Sequence, residues 1–214
     1  MLPYTAEVLF ASFGSYNQSL WPAQLLAVAL ALVAILLVLR PVGHGRRAIL
    51  ALLAAAWLWV GIGYHALHFA TLNFAAPVYA GLFVIQGLVF AWEAARGART
   101  FRFRPDVMGL SGLAIMLAGL IVWPLADALG HGWPGARLVG LAPAPTSVFT
   151  LGLLLLLDGR TPVRLVLIPL LWTLVAGATG WVLGIPQDLA LPIIGLAGVG
   201  LIVWKNRRQR AVAG

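Results

Sequence analysis

Two histidines in the segment Gly63-Tyr64-His65-Ala66-Leu67-His68 are the residues whose type and spacing best suit chemistry. Side chains three apart on a helix share a face, and two imidazoles there can start a transition-metal site or relay a proton. A metal needs more than two ligands, and Glu7, Asp127, His131 and Asp188 fall in segments expected on the same side of the molecule. His65 and His68 are therefore the candidate metal ligands, with interfacial histidines hydrogen-bonded to neighbouring helices or headgroups as the alternative. Sharing one face, they cannot ligate a haem from opposite sides.

A second set could bind a substrate or pass a proton: Gln24, Tyr64, Thr146, Ser147, Thr150, Gln187 and Asp188, together with the two histidines. Polar groups inside apolar helices are costly, so each carries a functional hypothesis by default. Pro143-Ala144-Pro145-Thr146-Ser147 puts irregular backbone at membrane depth, where it either lines a wet site or is a plain loop into a shortened helix. In Gly184-Ile185-Pro186-Gln187-Asp188 the carboxylate either caps the next helix or belongs to a site. With no cysteine, the chain has no disulfide, thiolate metal site or thiol nucleophile. No phosphate-binding loop or serine-nucleophile motif is present either.

The elements that must hold these residues are set by composition. Of 214 residues, 62% are hydrophobic and 9% charged, against roughly a quarter charged in soluble domains. A crossing helix needs about 20 mostly apolar residues. Such runs recur at Leu20–Leu39, Ala48–Ala70, Ala76–Trp92, Val107–Leu125, within Leu138–Leu157, at Leu165–Leu183 and at Leu189–Trp204. The expectation is an all-α, polytopic transmembrane bundle of about seven helices in a single domain. Pro143 and Pro145 are expected to interrupt the fifth run and leave Thr146–Leu157 as clean helix, and Pro192 lies near the start of the seventh. Residues 1–19 read as an outer interfacial segment, in which Thr5–Gly14 forms a surface helix or a lid; lacking a basic start, they are not expected to be a removable signal. Residues 205–214 read as a basic cytoplasmic tail.

Orientation follows from the basic residues. Arg40, Arg46, Arg47, Arg96, Arg99, Arg102, Arg104, Arg160, Arg164, Lys205, Arg207, Arg208 and Arg210 fall on one side of the seven-helix arrangement and Arg137 alone on the other. By the positive-inside rule the N-terminus is outside and the C-terminus cytoplasmic. The arginines of 99–104, alternating with Phe101 and Phe103, suit anionic lipid headgroups. The formal charge of +8 is spread over short groups between apolar runs, which suits membrane anchoring and argues against nucleic acid. Trp21, Trp123, Trp133 and Trp181 mark the outer boundary and Trp92 and Trp204 the inner one; Trp57, Trp59 and Trp172 fall near mid-span. Trp57–Trp92 and Trp172–Trp204 echo each other, as two parallel three-helix units joined by a fourth helix would. Ala176, Gly180 and Gly184, and Gly109 and Gly112, are spaced for close helix packing.

The segments Tyr16-Asn17-Gln18-Ser19-Leu20-Trp21-Pro22-Ala23-Gln24, Tyr64-His65, Asn73-Phe74-Ala75-Ala76, Pro145 to Gly152, Ile168-Pro169-Leu170-Leu171-Trp172 and Pro186-Gln187-Asp188 resemble a family of uncharacterised bacterial multi-pass membrane proteins often labelled permeases. The resemblance covers nearly the whole chain and implies seven spans in a bacterial inner membrane but no tested activity. Rhodopsins fit less well, since Lys205, the only lysine, lies at the cytoplasmic end and excludes a retinal Schiff base. Membrane hydrolases of the ceramidase type carry histidines in the last span, and this one has none. Three functions remain open: a small-solute or ion permease with an outward-facing polar site, a non-catalytic accessory or sensor subunit with a protein partner or as a homo-oligomer, and a metal-dependent or acid–base membrane enzyme.

Overall fold

The computed structural model describes residues 2–96 and 100–213, so Arg99 of the basic segment lies outside it. Among the described residues the regular structure is helical, and the one pairing of extended backbone is an isolated bridge between Phe101 and Leu157. The chain runs through α1 (Ala6–Ser19), α2 (Ala23–Leu39), α3 (Gly45–Trp59), α4 (Ala76–Arg96), α5 (Val107–Leu117), α6 (Trp123–His131), α7 (Pro143–Leu155), α8 (Val163–Leu183) and α9 (Ala190–Ala213). A π-helical turn at Val60–Ala66 continues α3, and another at Ala118–Val122 joins α5 to α6.

Five helical runs are long and apolar enough to cross a membrane: Gly45–Thr71, Ala76–Arg96, Val107–His131, Val163–Leu183 and Pro186–Ala211. The pair α1 and α2, bent by 92° between them, brings the number to six if taken as one broken span. The sequence expects seven, and the difference lies in the fifth. Helix α7 has 13 residues, about 20 Å at 1.5 Å per residue, which is short of a 30 Å hydrocarbon layer. Every residue of α7 is buried. It is enclosed mainly by α5 with the π-helical turn that follows it, α8 and α9, with α3 touching it at one side.

Local chemistry explains these bounds. Thr5 and Asp106 cap α1 and α5 by accepting from the backbone N–H groups of Val8 (3.4 Å) and Gly109 (2.9 Å). The sequence has Pro143 and Pro145 interrupting a span. They instead start α7, occupying first-turn positions where a missing N–H costs no helical bond. Its other end has no side-chain cap of its own. The Lys205 ammonium supplies one from α9, donating to the carbonyls of Leu154 (3.2 Å), Leu155 (3.2 Å) and Leu157 (2.9 Å). Helices α5 and α7 cross so closely that a Cβ on Gly152 would sit 2.6 Å from the Gly112 carbonyl oxygen.

The loops divide between the two ends of the bundle. At one end Arg46 donates to the Glu93 carbonyl, Arg164 pairs with the Glu93 carboxylate, Arg104 pairs with Asp158 at 2.9 Å, and Asn206 holds Thr161. At the other end α1 lies across the bundle, with Leu9, Phe10, Phe13 and Tyr16 buried against it. Between these ends the helices present large apolar side chains outward, Leu25, Leu26, Ile62, Val78, Leu110, Leu167 and Ile193 among them. Helices α3 with α4 and α8 with α9 form antiparallel pairs; α2 and α7, counterparts under the expected repeat, differ in that α2 is largely exposed and α7 wholly buried.

Candidate functional site

Three charged side chains meet inside the α1 end of the bundle, drawn from segments far apart in sequence. Asp127 comes from α6, Arg137 from the loop after a short turn at Trp133–Gly135, and Asp188 from the turn between α8 and α9. Their relative exposures are 0%, 4% and 3%, so bulk water does not solvate them. The Arg137 guanidinium donates to both carboxylates. Its Nε and Nη2 reach Asp127 at 2.8 and 2.7 Å, and Nη1 and Nη2 reach Asp188 at 2.7 and 2.9 Å. The Arg137 backbone N–H adds a bond of 3.0 Å to Asp127. Trp123 donates to Asp188 at 3.1 Å, Gln187 donates to Asp127 at 2.9 Å, and the Phe10 ring lies 5.2 Å from the guanidinium carbon.

Local structure aims these groups. Asn17 of α1 donates to the carbonyls of Pro134 (2.7 Å) and Ala136 (2.8 Å), which fastens the loop before Arg137. Gly184 ends α8 with a left-handed φ of +67° that a side chain would resist. A Cβ on Gly180 would lie 2.4 Å from the Asp188 Cβ, so only glycine lets the Asp188 turn fold back onto α8. Burial alone would push the Arg137 guanidinium down in pKa; the Asp188 and Asp127 carboxylates more than reverse that and raise it, so it stays a cation. One cation between two carboxylates leaves a formal charge of −1 in a low-dielectric setting.

This ionic cluster borders a cavity of about 60 Å³, room for a few waters. Arg137 and Asp188 form one wall, and Tyr64, His65, Tyr79 and Trp172 line others, with Leu9 and Phe13 of α1 covering it. His65 has no exposed surface and sits among rings: Trp172 and Phe83 at 4.9 Å between centroids, Tyr64 at 5.1 Å, Tyr79 at 5.7 Å and Phe69 at 5.9 Å. Neither of its nitrogens has a hydrogen-bond partner, nor does the buried Trp172 Nε1. Buried polar atoms are nearly always paired, so these call for an explanation.

The sequence-derived residues separate into three groups. His65, Tyr64 and Asp188 come together around the cavity, with Gln187 joined to the cluster through Asp127. His68 turns away: its Nε2 lies 2.9 Å from Ser12 Oγ and 3.0 Å from the Ser12 carbonyl. The shared face expected of residues 65 and 68 assumes an α-helix. The chain here is a π-helix, whose wider turn, with Leu67 N–H bonded to the Ile62 carbonyl at 3.0 Å, changes which side chains align. Among the described residues no group of three or more His, Cys, Asp or Glu side chains gathers as a metal would require.

The remaining candidates serve the backbone. Thr146 donates to the Ala142 carbonyl (2.6 Å) and accepts from Gly140 N–H (2.8 Å); Ser147 donates to Pro143 (2.9 Å) and Thr150 to Thr146 (2.7 Å). Gln24 donates to the Asn17 carbonyl across the bend between α1 and α2. Thr146 and Thr150 line a separate apolar cleft of about 280 Å³ between α2, α3 and α7. Trp123, read from the sequence as an interfacial residue, is 2% exposed because it is a donor to Asp188. Trp57 is wholly buried, stacking on Phe83 and donating to Thr150 at 3.0 Å, while Trp59 is half-exposed and donates to the Tyr16 hydroxyl at 2.9 Å. Arg137 is what sequence reasoning missed. Its signal was being the one basic residue on an otherwise base-free side, ten residues after Asp127.

The model of a family of unknown function (DUF6064) matches residues 6–213. No curated protein and no solved structure matches the chain.

Proposed function

The chain belongs to DUF6064, a family of unknown function, and from that premise we propose that it is an integral membrane permease for a small solute or ion, with its binding site at the outer end of the bundle. The observation that carries this reading is the buried Asp127–Arg137–Asp188 cluster, formally −1, opening on the cavity that His65 shares. Charged groups are retained within an apolar bundle at considerable cost, and they mark solute and ion paths. The large apolar side chains displayed around the helices supply the lipid-facing surface.

On this reading the seven crossings are α2, α3 with its π-helical turn, α4, the α5–α6 run, α7, α8 and α9, and α1 lies along the outer interface. Helix α7 is short because its neighbours shield it from lipid. The bundle end bearing Arg46, Arg104, Arg164 and Lys205 faces the cytoplasm, where it meets anionic headgroups. Arg137, the single basic residue at the opposite end, is bound up in the ionic cluster and leaves no exposed charge to contradict that orientation.

Purified protein in liposomes, loaded in turn with labelled amino acids, sugars, amines and monovalent cations, tests the proposal by counterflow. One class should exchange faster than in protein-free vesicles, and Asp188→Asn should slow it at least tenfold. A folded protein that exchanges none of them refutes the reading.

A further inference from the structure

Among the described residues outside the cavity, Gln86 stands out from Gln24 and Gln209, each with one unpaired oxygen, in having both polar atoms of its side chain buried and unpaired. Gln86 of α4 has no exposed surface, and neither its amide nitrogen nor its amide oxygen finds a hydrogen-bond partner. Tyr79, Gln86 and Glu93 recur at seven-residue intervals on α4, so they share one face, with about 10 Å of rise between successive members. That face packs on α8. Tyr79 and Phe83 meet Trp172 at 5.2 and 5.1 Å, and Glu93 meets Arg164. Because α4 and α8 run antiparallel, Gln86 falls, by interpolation between these two contacts, at about the level of Pro169, the proline inside α8. A proline there has no N–H to give the Leu165 carbonyl, which leaves a second acceptor near the level of Gln86.

The α4–α8 seam thus holds a sequence of hydrogen-bonding groups from one end of the bundle to the other. It starts at Asp188 and the cavity, passes His65, Tyr79 and Trp172, continues through Gln86, and ends at Glu93 beside Arg164. Fully buried amide and imidazole groups without partners destabilise a fold, and apolar side chains of similar shape would serve packing better.

We propose that this seam conducts protons across the membrane, with His65 as the carrier at the outer cavity, Gln86 orienting water at mid-span, and Glu93 as the inner terminal. The inference rests on the permease reading and names the proton as its transported or coupling ion. A proton entering at the cavity forms an N–H bond on the free lone pair of His65, and the opposite ring nitrogen releases its own proton inward. Waters that file transiently along the about 10 Å between the Gln86 amide and Glu93 pass the proton to the Glu93 carboxylate, and rotation of the His65 ring restores its starting tautomer. Protonation weakens the Glu93 pair with Arg164, and the proton then leaves to the inner aqueous phase. Each step makes one bond to hydrogen and breaks one, so one proton moves and nothing is oxidised or reduced. The other ionisable groups around His65 in the cavity wall are Tyr4, Tyr64, Tyr79, Arg137 and Asp188, and the cluster of the last two with Asp127 carries the formal −1.

The test is proton influx into liposomes under a potassium diffusion potential, read by an internal pH-sensitive dye, without added solute. Wild-type protein should acidify the lumen well above protein-free vesicles. Gln86→Leu and His65→Phe should each reduce that rate at least tenfold, with melting temperatures unchanged or raised. A purely structural role gives the opposite result: lower melting temperatures and an unaltered rate. No influx above protein-free vesicles, or full influx in Gln86→Leu, overturns the proposal. Solute counterflow distinguishes this failure from that of the permease reading: exchange without proton influx leaves a permease with no proton path, and loss of both removes both.

Discussion

Replacing Arg137 with methionine keeps the length and much of the volume of the side chain and deletes the one cation of the buried cluster. Four side-chain bonds to carboxylates are lost, at 2.7 to 2.9 Å, along with the contact to Phe10. Asp127 and Asp188 remain, both almost without exposure. Breaking a buried ion pair from one side costs about 3–5 kcal/mol, because it leaves an uncompensated charge. Here one deletion strands two carboxylates, so the upper end applies, a large share of the about 5–15 kcal/mol that stabilises a typical fold. At roughly 2–4 °C per kcal/mol for a chain of this size, the melting temperature should fall by about 10–20 °C. The intrinsic tryptophan fluorescence of detergent-solubilised protein reports the transition. A triple variant, Asp127→Asn with Arg137→Met and Asp188→Asn, removes the stranded charges and should recover more than half of the loss. An Arg137→Met protein that melts within about 2 °C of wild type, or a triple variant no more stable than the single, would refute the assignment of a charge-coupled cluster.

Other substitutions probe the parts that hold the site. Gly180→Val places a side chain where the Asp188 Cβ would be 2.4 Å away, and should cost about 1–3 kcal/mol by thermal melting as the turn is displaced from Arg137. Lys205→Met removes the ammonium bonded to three carbonyls at the end of α7, of which Leu154 keeps the Thr161 hydroxyl as a donor, and should cost about 1–3 kcal/mol, whereas the same change at exposed Arg207 should be neutral on the same assay. Asp106→Ala removes the cap of α5 and should cost about 1 kcal/mol, recovered by Asp106→Ser and not by Asp106→Leu in chemical unfolding.

Helix positions were legible in this sequence because they depend on averages over about twenty residues, and apolar runs report burial whatever the exact partners. The starts of the runs at Ala76, Val107 and Val163 lie within two residues of the sequence reading. Proline signals misled at α7 because the same residue that breaks a helix interior is well suited to a first turn, and only the position of Ala142 as the extended residue before Pro143 decides between them. The histidine pair misled for a related reason: periodicity presumes an α-helix, and the π-helical turn at Val60–Ala66 carries His65 into the aromatic cage and His68 toward Ser12. The ionic cluster was beyond any local pattern, since residues 127, 137 and 188 meet only once α6, the following loop and the α8–α9 turn are folded together. One indirect sign was present. In a chain with six acidic residues and with its other thirteen basic ones read from the sequence as lying on the opposite side, an isolated arginine needs a partner, and Asp127 and Asp188 were the acids expected on its side besides Glu7. Charge scarcity is therefore the more useful guide in so apolar a sequence. Where burying an ion is this costly, every ionisable group retained within the bundle can be expected to have a structural partner, as Lys205 and Glu93 do, or to lack one for a reason of function, as proposed above for His65.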